Sequence, residues 1–252
     1  MRRLSAALLA LICSSSATAR AEWSVVSTRS DFSSGRIAEH RHLVVRSEAG
    51  DEATLDLAIF ATKSATLRVL DDPSASESLG AVMQREGCIA GTNGGYFDPD
   101  YAPVGLLVSD AHVVAPLRKA RLLSGVLSVV NGRVQIQRPS EFSLKSKPSA
   151  ARQCGPFLVD RGRPIPGLND TRAARRTFVA TVGSDRAAIG YCSPLTLAQL
   201  ARVLATPELK IERALNLDGG SSSGFWFAGE NGVFSIREQK RVRDFIAIVP
   251  KT

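Results

Sequence analysis

The 252-residue chain carries 32 Lys and Arg against 24 Asp and Glu, a formal net charge of +8, with ordinary apolar and charged fractions. These proportions exclude a disordered or fibrous chain and allow one sizeable core or two small ones, one domain being the simpler expectation. The basic excess is modest and spread along the chain, with no nucleic-acid motif and few aromatics among the cations, so an anionic substrate or envelope surface fits better than DNA or RNA.

Residues 1–21 read as a signal peptide. Arg2-Arg3 form the charged start, Ala6 to Cys13 the apolar core, and Ala19-Arg20-Ala21 a small-x-small cleavage site before Glu22. The apolar run is too short to span a bilayer, and nothing later in the chain is long and apolar enough to cross one. Removing Arg2, Arg3 and Arg20 leaves a charge of +5. Cys13 has Ile12 where a lipoprotein box needs a small residue, so it leaves with the leader.

From residue 23 to 70 the pattern is strand-like. Trp23 to Val26 and Leu43 to Val45 start strands, and Thr54 to Phe60 and Ala65 to Leu70 alternate cleanly. His40 and His42 share one strand face, read as solvated. Asp71-Asp72-Pro73 breaks the run. Ser74 or Ser76 caps a short helix with Leu79, Val82 and Met83 on one face, and Gly87 ends it. A strand follows through Cys88-Ile89-Ala90, and another over Val104 to Val108. Gly125 to Val130 and Arg133 to Ile136 form a hairpin about Asn131-Gly132, which supplies the positive φ angles of a type I′ turn. Residues 138 to 150 are polar, with prolines, and read as a loop. Phe157 to Val159 is a strand, and Gly167 to Arg176 a long surface loop. Thr177 to Val182 pairs with Ala187 to Cys192. A helix runs from Thr196 to Leu204 with Leu197, Leu200, Ala201 and Leu204 inward. Ile211 to Leu217, Phe225 to Phe227, Val233 to Ile236 and Phe245 to Val249 close the chain as strands. Strands outnumber helices and hairpins are interleaved. The expected class is therefore α+β, a mostly antiparallel or mixed β-sheet with a few packed helices in a single domain over 22–252.

Mature Cys88, Cys154 and Cys192 allow at most one disulfide, and their spacing does not resemble a zinc site. Cys154 and Cys192 each flank a predicted strand and are the expected pair, leaving Cys88 as a buried thiol. No cofactor or metal is called for. Asp98 and Asp100 around Pro99 read first as turn chemistry.

Two stretches share one design. Ala214-Leu215-Asn216-Leu217-Asp218-Gly219-Gly220-Ser221-Ser222-Ser223-Gly224 ends a strand in Asn, Asp and a Gly/Ser-rich turn. Gly91-Thr92-Asn93-Gly94-Gly95-Tyr96-Phe97-Asp98 ends another in Asn, a double Gly, aromatics and an acid. The glycines suggest bare backbone N–H groups open to a ligand, and the repeated design suggests two walls of one cleft. The plain alternative is two polar turns, with Asp218 capping its own.

These two motifs, in this order, resemble the phosphodiester glycosidase family in its bacterial exported branch. Pro103-Val104-Gly105-Leu106, Gln153-Cys154-Gly155-Pro156, Arg176-Thr177, the helix start at Thr196-Leu197 and the ending Phe245 to Val249 fit as well. The resemblance covers roughly residues 85 to 250. It implies hydrolysis of the anomeric C–O bond of a sugar-1-phosphodiester in an envelope or extracellular glycan, with release of a phosphate monoester. The implied partner is a sugar-phosphate or phosphorylated glycan, and the location periplasmic or extracellular, within exopolysaccharide or envelope biology. Asp218, Arg176 and Asn93 become catalytic candidates. Asp218 would stabilise charge at the anomeric carbon or activate water, and Arg176 would grip phosphate with its forked donors. Asn93 and Asn216 suit sugar hydroxyls. Gly94, Gly95, Tyr96, Asp98, Gln153, Gly155, Thr177, Gly219, Gly220, Ser221 and Ser222 complete the implied binding set. Two departures stand out: Ser221 occupies a third-glycine place, and Cys154 stands where relatives often have Ser. A non-catalytic binder of anionic glycan is the alternative. A serine hydrolase using Ser221, Ser222 or Ser223 is a weaker one, lacking both a Gly-x-Ser-x-Gly elbow and a well-placed His.

If the leader is read correctly, mass spectrometry of the protein from its own host finds a mature start close to Glu22. An intact Met1 on cytoplasmic protein would overturn that reading.

Overall fold

The computed structural model describes residues 22–251, so the expected leader lies outside the described residues. In chain order the elements are β1 (Trp23–Phe32), β2 (Ala38–Ser47), β3 (Glu52–Ala61), β4 (Ala65–Asp71), α1 (Leu79–Arg85), β5 (Ala90–Asn93), β6 (Leu107–Ser109), β7 (His112–Ala115), β8 (Gly125–Val130) and β9 (Arg133–Gln137). They continue with β10 (Ala150–Cys154), β11 (Phe157–Asp160), β12 (Arg163–Pro164), β13 (Ala174–Val182), β14 (Arg186–Leu195), α2 (Leu197–Leu204), β15 (Ile211–Asn216), β16 (Phe225–Gly229), β17 (Gly232–Ile236) and β18 (Asp244–Pro250).

The strands form three sheets. Eight lie in the order β1-β2-β3-β14-β13-β15-β11-β12, five in the order β7-β6-β10-β8-β9, and five in the order β17-β16-β5-β18-β4. Every strand pair among the described residues is antiparallel, as hairpin-rich patterning demands. With two short α-helices packed on these sheets, the architecture is compatible with the α+β expectation.

Alternation decides which face of each strand is buried. Phe60, Leu67, Val69, Leu127, Phe157, Val179, Leu215, Phe225, Phe227 and Ile246 come from all three sheets and meet in one core. The opposite face of the eight-stranded sheet, with Leu55, Leu57, Phe178 and Leu158, is covered by Leu200, Ala201, Val203 and Leu204 of α2. Thr196 and Gln199 close a reciprocal capping box at the start of α2, satisfying two otherwise orphaned donors. On the five-stranded sheet that holds β5, α1 packs Leu79, Val82 and Met83 beside Trp226 and Phe245.

Three strands have no counterpart in the sequence reading: β7, β10 and the two-residue β12. β10 starts at Ala150, where the expected polar loop over 138–150 ends, and it carries Arg152 and Gln153. Both are fully buried. Arg152 Nε donates to Asp244 Oδ1 at 3.0 Å and Oδ2 at 3.2 Å, joining two of the sheets. Its Nη2 donates to the Tyr96 carbonyl at 2.6 Å, and Nη1 to the Val104 and Leu106 carbonyls at 3.2 and 3.3 Å. Gln153 is equally committed. It donates to the Arg118 and Leu123 carbonyls and accepts from the Leu106 and Arg118 N–H groups.

Two expectations are corrected. Cys154 and Cys192 are not bonded: Cys88, Cys154 and Cys192 are all free and buried. Cys154 faces the core among the three sheets, whereas Cys192 faces the α2 side of the large sheet, so the sheet itself separates them. Burial pushes the Cys154 and Cys192 thiols up to about 12 and Cys88 to about 11. His40 and His42 do share a face, but one only partly solvated, with His42 half-buried. His40 is buried against Phe225, Phe227 and Phe234, and both rings bond Asp56 Oδ1 at 2.9 Å.

Two measurements follow. Thiol titration of mature protein unfolded without reductant should find all three cysteines reactive, while the folded protein reacts slowly. Replacing Asp244 by Ala leaves Arg152 charged, buried and unpaired. Chemical denaturation should show a loss of about 3–5 kcal/mol, the scale for breaking a buried pair from one side.

Candidate active site

The two motifs, 125 residues apart at Asn93 and Asp218, meet. β5 delivers the first and β15 the second, and they are stitched directly together. The Asp218 N–H donates to the Gly94 carbonyl at 3.1 Å. The Asp218 carbonyl accepts from Asn93 Nδ2 at 2.7 Å and from Thr177 Oγ1 at 3.0 Å. Thr177 Oγ1 also lies 2.9 Å from Asn93 Oδ1, and Gly224 N–H donates to the same oxygen at 3.2 Å. The main chain of Asp218 is thus fixed at both polar atoms.

That geometry reassigns several residues. Asn93 is buried and its amide is committed to the protein, so it positions Asp218 instead of contacting a sugar. Gly94 and Gly95 are not a bare cradle. The Gly94 N–H donates to the Asp244 carbonyl at 2.7 Å and the Gly95 N–H to Asp244 Oδ1 at 3.2 Å. A Cβ on Gly94 would fall 1.7 Å from Asp244 Oδ1, and one on Gly95 would fall 2.5 Å from Arg152 Cζ. The double glycine therefore admits the buried ion pair, not a ligand. Asp98 is half-buried and caps its own turn, accepting from the Asp100 and Ala102 N–H groups at 2.9 and 2.8 Å. Gln153 lies beneath the site as a brace, fully bonded.

A smaller group surrounds the Asp218 carboxyl. The Asp218 carboxyl is raised from its ordinary value, chiefly by burial. The Ser222 hydroxyl, the Lys240 charge and the Gly219 N–H oppose the rise, and the Asp244 charge adds to it. Ser222 Oγ does so without meeting the geometry of a full hydrogen bond. It, Ser223 Oγ and Asn216 Oδ1 are buried and unpartnered in the folded chain. Three such atoms within eight residues concentrate unmet polar capacity in the second motif. Tyr96 donates its hydroxyl to the Gly155 carbonyl and accepts from Asn216 Nδ2 at 3.3 Å. Burial pushes its phenol well above the ordinary range.

Arg176 lies on β13 and donates to the Arg172 carbonyl at 3.0 Å and the Leu195 carbonyl at 3.5 Å, and to no carboxylate among the described residues. Burial lowers it from its ordinary value. Its Nη1 sits 3.2 Å from where a Gly219 Cβ would be, so glycine at 219 lets the guanidinium lie against the turn. On an unbroken strand Arg175 would point the other way from Arg176. The pairing of β13 with β14 slips between Ala174 and Arg176, opposite Pro194, and Arg175 stays at the site. It donates to the Ser223 and Arg237 carbonyls, holding the turn to the segment that follows β17. Gly220 carries the positive φ of 66°, so Ser221 needs no unusual backbone and its Cβ is tolerated in the place expected for a third glycine. The Ser221 carbonyl accepts from the Gln239 and Lys240 N–H groups at 2.7 and 3.2 Å.

Lys240 is the residue that sequence reading missed. Its ammonium lies 4.7 Å from the Phe97 ring centroid and opposes the shift at Asp218. It sits in Arg237-Glu238-Gln239-Lys240-Arg241, which reads as an ordinary solvated charge run. The histidines bond Asp56 and the Asp110 carbonyl, and none bonds Ser221, Ser222 or Ser223, so no serine triad is assembled.

No curated protein is detectably similar in sequence. Solved structures share the fold at low identity. The catalytic domain of zebrafish N-acetylglucosamine-1-phosphodiester alpha-N-acetylglucosaminidase, auto-inhibited by its pro-peptide, matches with a TM-score of 0.65 at 13% identity, over 91% of this chain and 89% of that one. A hypothetical protein from Synechocystis matches with a TM-score of 0.64 at 14% identity, over 92% and 68%. A candidate exported protein from Burkholderia pseudomallei K96243 gives 0.56 at 13%, over 82% and 77%. The phosphodiester glycosidase family model matches residues 86–249, which hold both motifs, Arg176 and Lys240, and the chain belongs to that family.

Proposed function

We propose that the protein is an exported glycosidase that hydrolyses the anomeric C–O bond of a sugar-1-phosphodiester. The observation that carries this reading is one turn that gathers both groups. A half-buried carboxylate, Asp218, is fixed through its own backbone, and the guanidinium of Arg176, bonded only to carbonyls among the described residues, lies against the next residue, Gly219. Family membership supplies the reaction class.

The chemistry needs these two signs. Cleavage of the C–O bond builds positive charge at the anomeric carbon and negative charge on the departing phosphate. Water adds its oxygen to the anomeric carbon, the bonding pair leaves with the phosphate oxygen, and the water proton ends on the released monoester or in solvent. Asp218 acts as the carboxylate, against the oxocarbenium-like carbon or on the incoming water. Arg176 takes the phosphate, and Lys240 adds a second positive charge on the other side of the turn.

Incubating mature protein with a panel of sugar-1-phosphodiesters and measuring phosphate monoester tests the reading directly. Asp218→Asn should lower turnover by about two orders of magnitude. Its effect on stability has a definite sign. Because folding raises the Asp218 pKa, the native state binds protons more tightly, and stability is lost as pH rises from the unfolded value through the raised folded one. Above that window the carboxylate is a net cost to folding. Asp218→Asn should therefore melt no lower than wild type at neutral pH, and relatively lower in acid. Arg176→Lys keeps the charge and loses the fork, and should raise KM or lower kcat while weakening inhibition by sugar-1-phosphate. Full activity in folded Asp218→Asn would remove the central residue of this reading.

A further inference from the structure

Beside the Asp218 turn lies a groove of about 710 Å³, within the usual range for ligand clefts of roughly 300–1,000 Å³. Gln84 of α1 and Trp226 of β16 line it, and the segment Arg237 to Arg241 closes one side. No ion pair among the described residues engages Arg237, Lys240 or Arg241, in contrast to Arg152, Arg213 and Arg243, which are each paired with carboxylates. The one acid of the lining, Glu238, is already committed: its Oε1 accepts from the Leu79 N–H at 3.0 Å. The groove thus presents three cations and a bound acid.

The segment is held in place as well as charged. The Ser221 carbonyl accepts from the N–H groups of both Gln239 and Lys240, and the Arg237 carbonyl accepts from Arg175 at 2.7 Å. The basic side of the groove is therefore tied to the same turn that carries Asp218. Lys240 is the joint: it lines the groove, and its charge also reaches the Asp218 carboxylate.

We infer that this groove binds the leaving-group side of the substrate, and that this part is a polyanionic glycan chain with phosphate or carboxylate groups recurring beyond the scissile phosphodiester. The inference rests on the glycosidase reading for its direction, but not for the binding itself. Cations spaced along an open polar groove select a chain with repeated negative charge, and solvent exposure makes that attraction sensitive to salt.

Binding is measured with mature protein and three soluble polymers: poly(glycerol phosphate), polygalacturonate and neutral dextran. Poly(glycerol phosphate), polygalacturonate or both should bind and dextran should not, with affinity falling as salt rises; the two anionic arms identify which charged group is read. The double variant Arg237→Glu/Arg241→Glu should weaken binding at least ten-fold. Arg133→Glu/Arg163→Glu, an equal charge change at exposed positions away from the groove, should leave it within two-fold. Melting of each variant checks that it is folded. Binding of neither anionic polymer, equal binding by the groove variant, or an equal loss in the control variant would overturn the inference. Turnover is read separately on a small sugar-1-phosphodiester. Groove-dependent polymer binding without such turnover would sink the glycosidase reading and leave the polyanion site standing.

Discussion

The buried Arg152–Asp244 pair is the constraint on which the site depends. Both side chains are fully out of water, a placement that costs several kcal/mol per charge unless the partners and the remaining hydrogen bonds are well made. They are well made here. Arg152 uses its remaining donors on the carbonyls of Tyr96, Val104 and Leu106, and Asp244 receives the Gly95 N–H while its own carbonyl receives the Gly94 N–H. The pair therefore holds the whole first motif by its backbone. In turn the Gly94 carbonyl and the Asn93 amide hold the backbone of Asp218. A chain of direct contacts runs from the ion pair to the candidate carboxylate.

This ordering explains why the strands could be read in the sequence and the site only in part. β3, β4, β8, β9 and the helix ending at Leu204 follow from alternation, an Asn-Gly turn and a capping Thr, all of which are local. β10 does not, because its buried polar residues are paid off by a partner 92 residues away, which no window of sequence contains. Asp56 hides the same way: it anchors two histidines from the neighbouring strand, so a face that looks solvated is buried at His40 and half-buried at His42.

Within the site, the residue types were legible and their division of labour was not. An Asn at a strand end before a double glycine suits a ligand contact and a backbone brace equally well. Only tertiary partners distinguish Asn93, whose amide is committed, from Asn216, whose Oδ1 is not. Glycine is ambiguous in the same manner. Gly94 and Gly95 make room for Asp244 and Arg152, Gly219 for Arg176, and Gly220 for a left-handed turn. One spelling thus serves three separate steric needs.

The resulting site has a rigid inner wall and a charged outer one, and the difference bears on how a carboxylate like Asp218 can function. Burial alone would favour its neutral form, which neither stabilises a cationic carbon nor accepts a proton from water. Full exposure would leave it ionised but shielded by solvent. Asp218 lies between these limits: half-buried, fixed through its main chain, with Lys240 and the Gly219 N–H opposing the cost of its charge. Placing the opposing charge of Lys240 on the segment after β17 leaves the inner wall free to be built from fully buried groups. The outer segment can then differ in charge without disturbing the frame that aims the carboxylate.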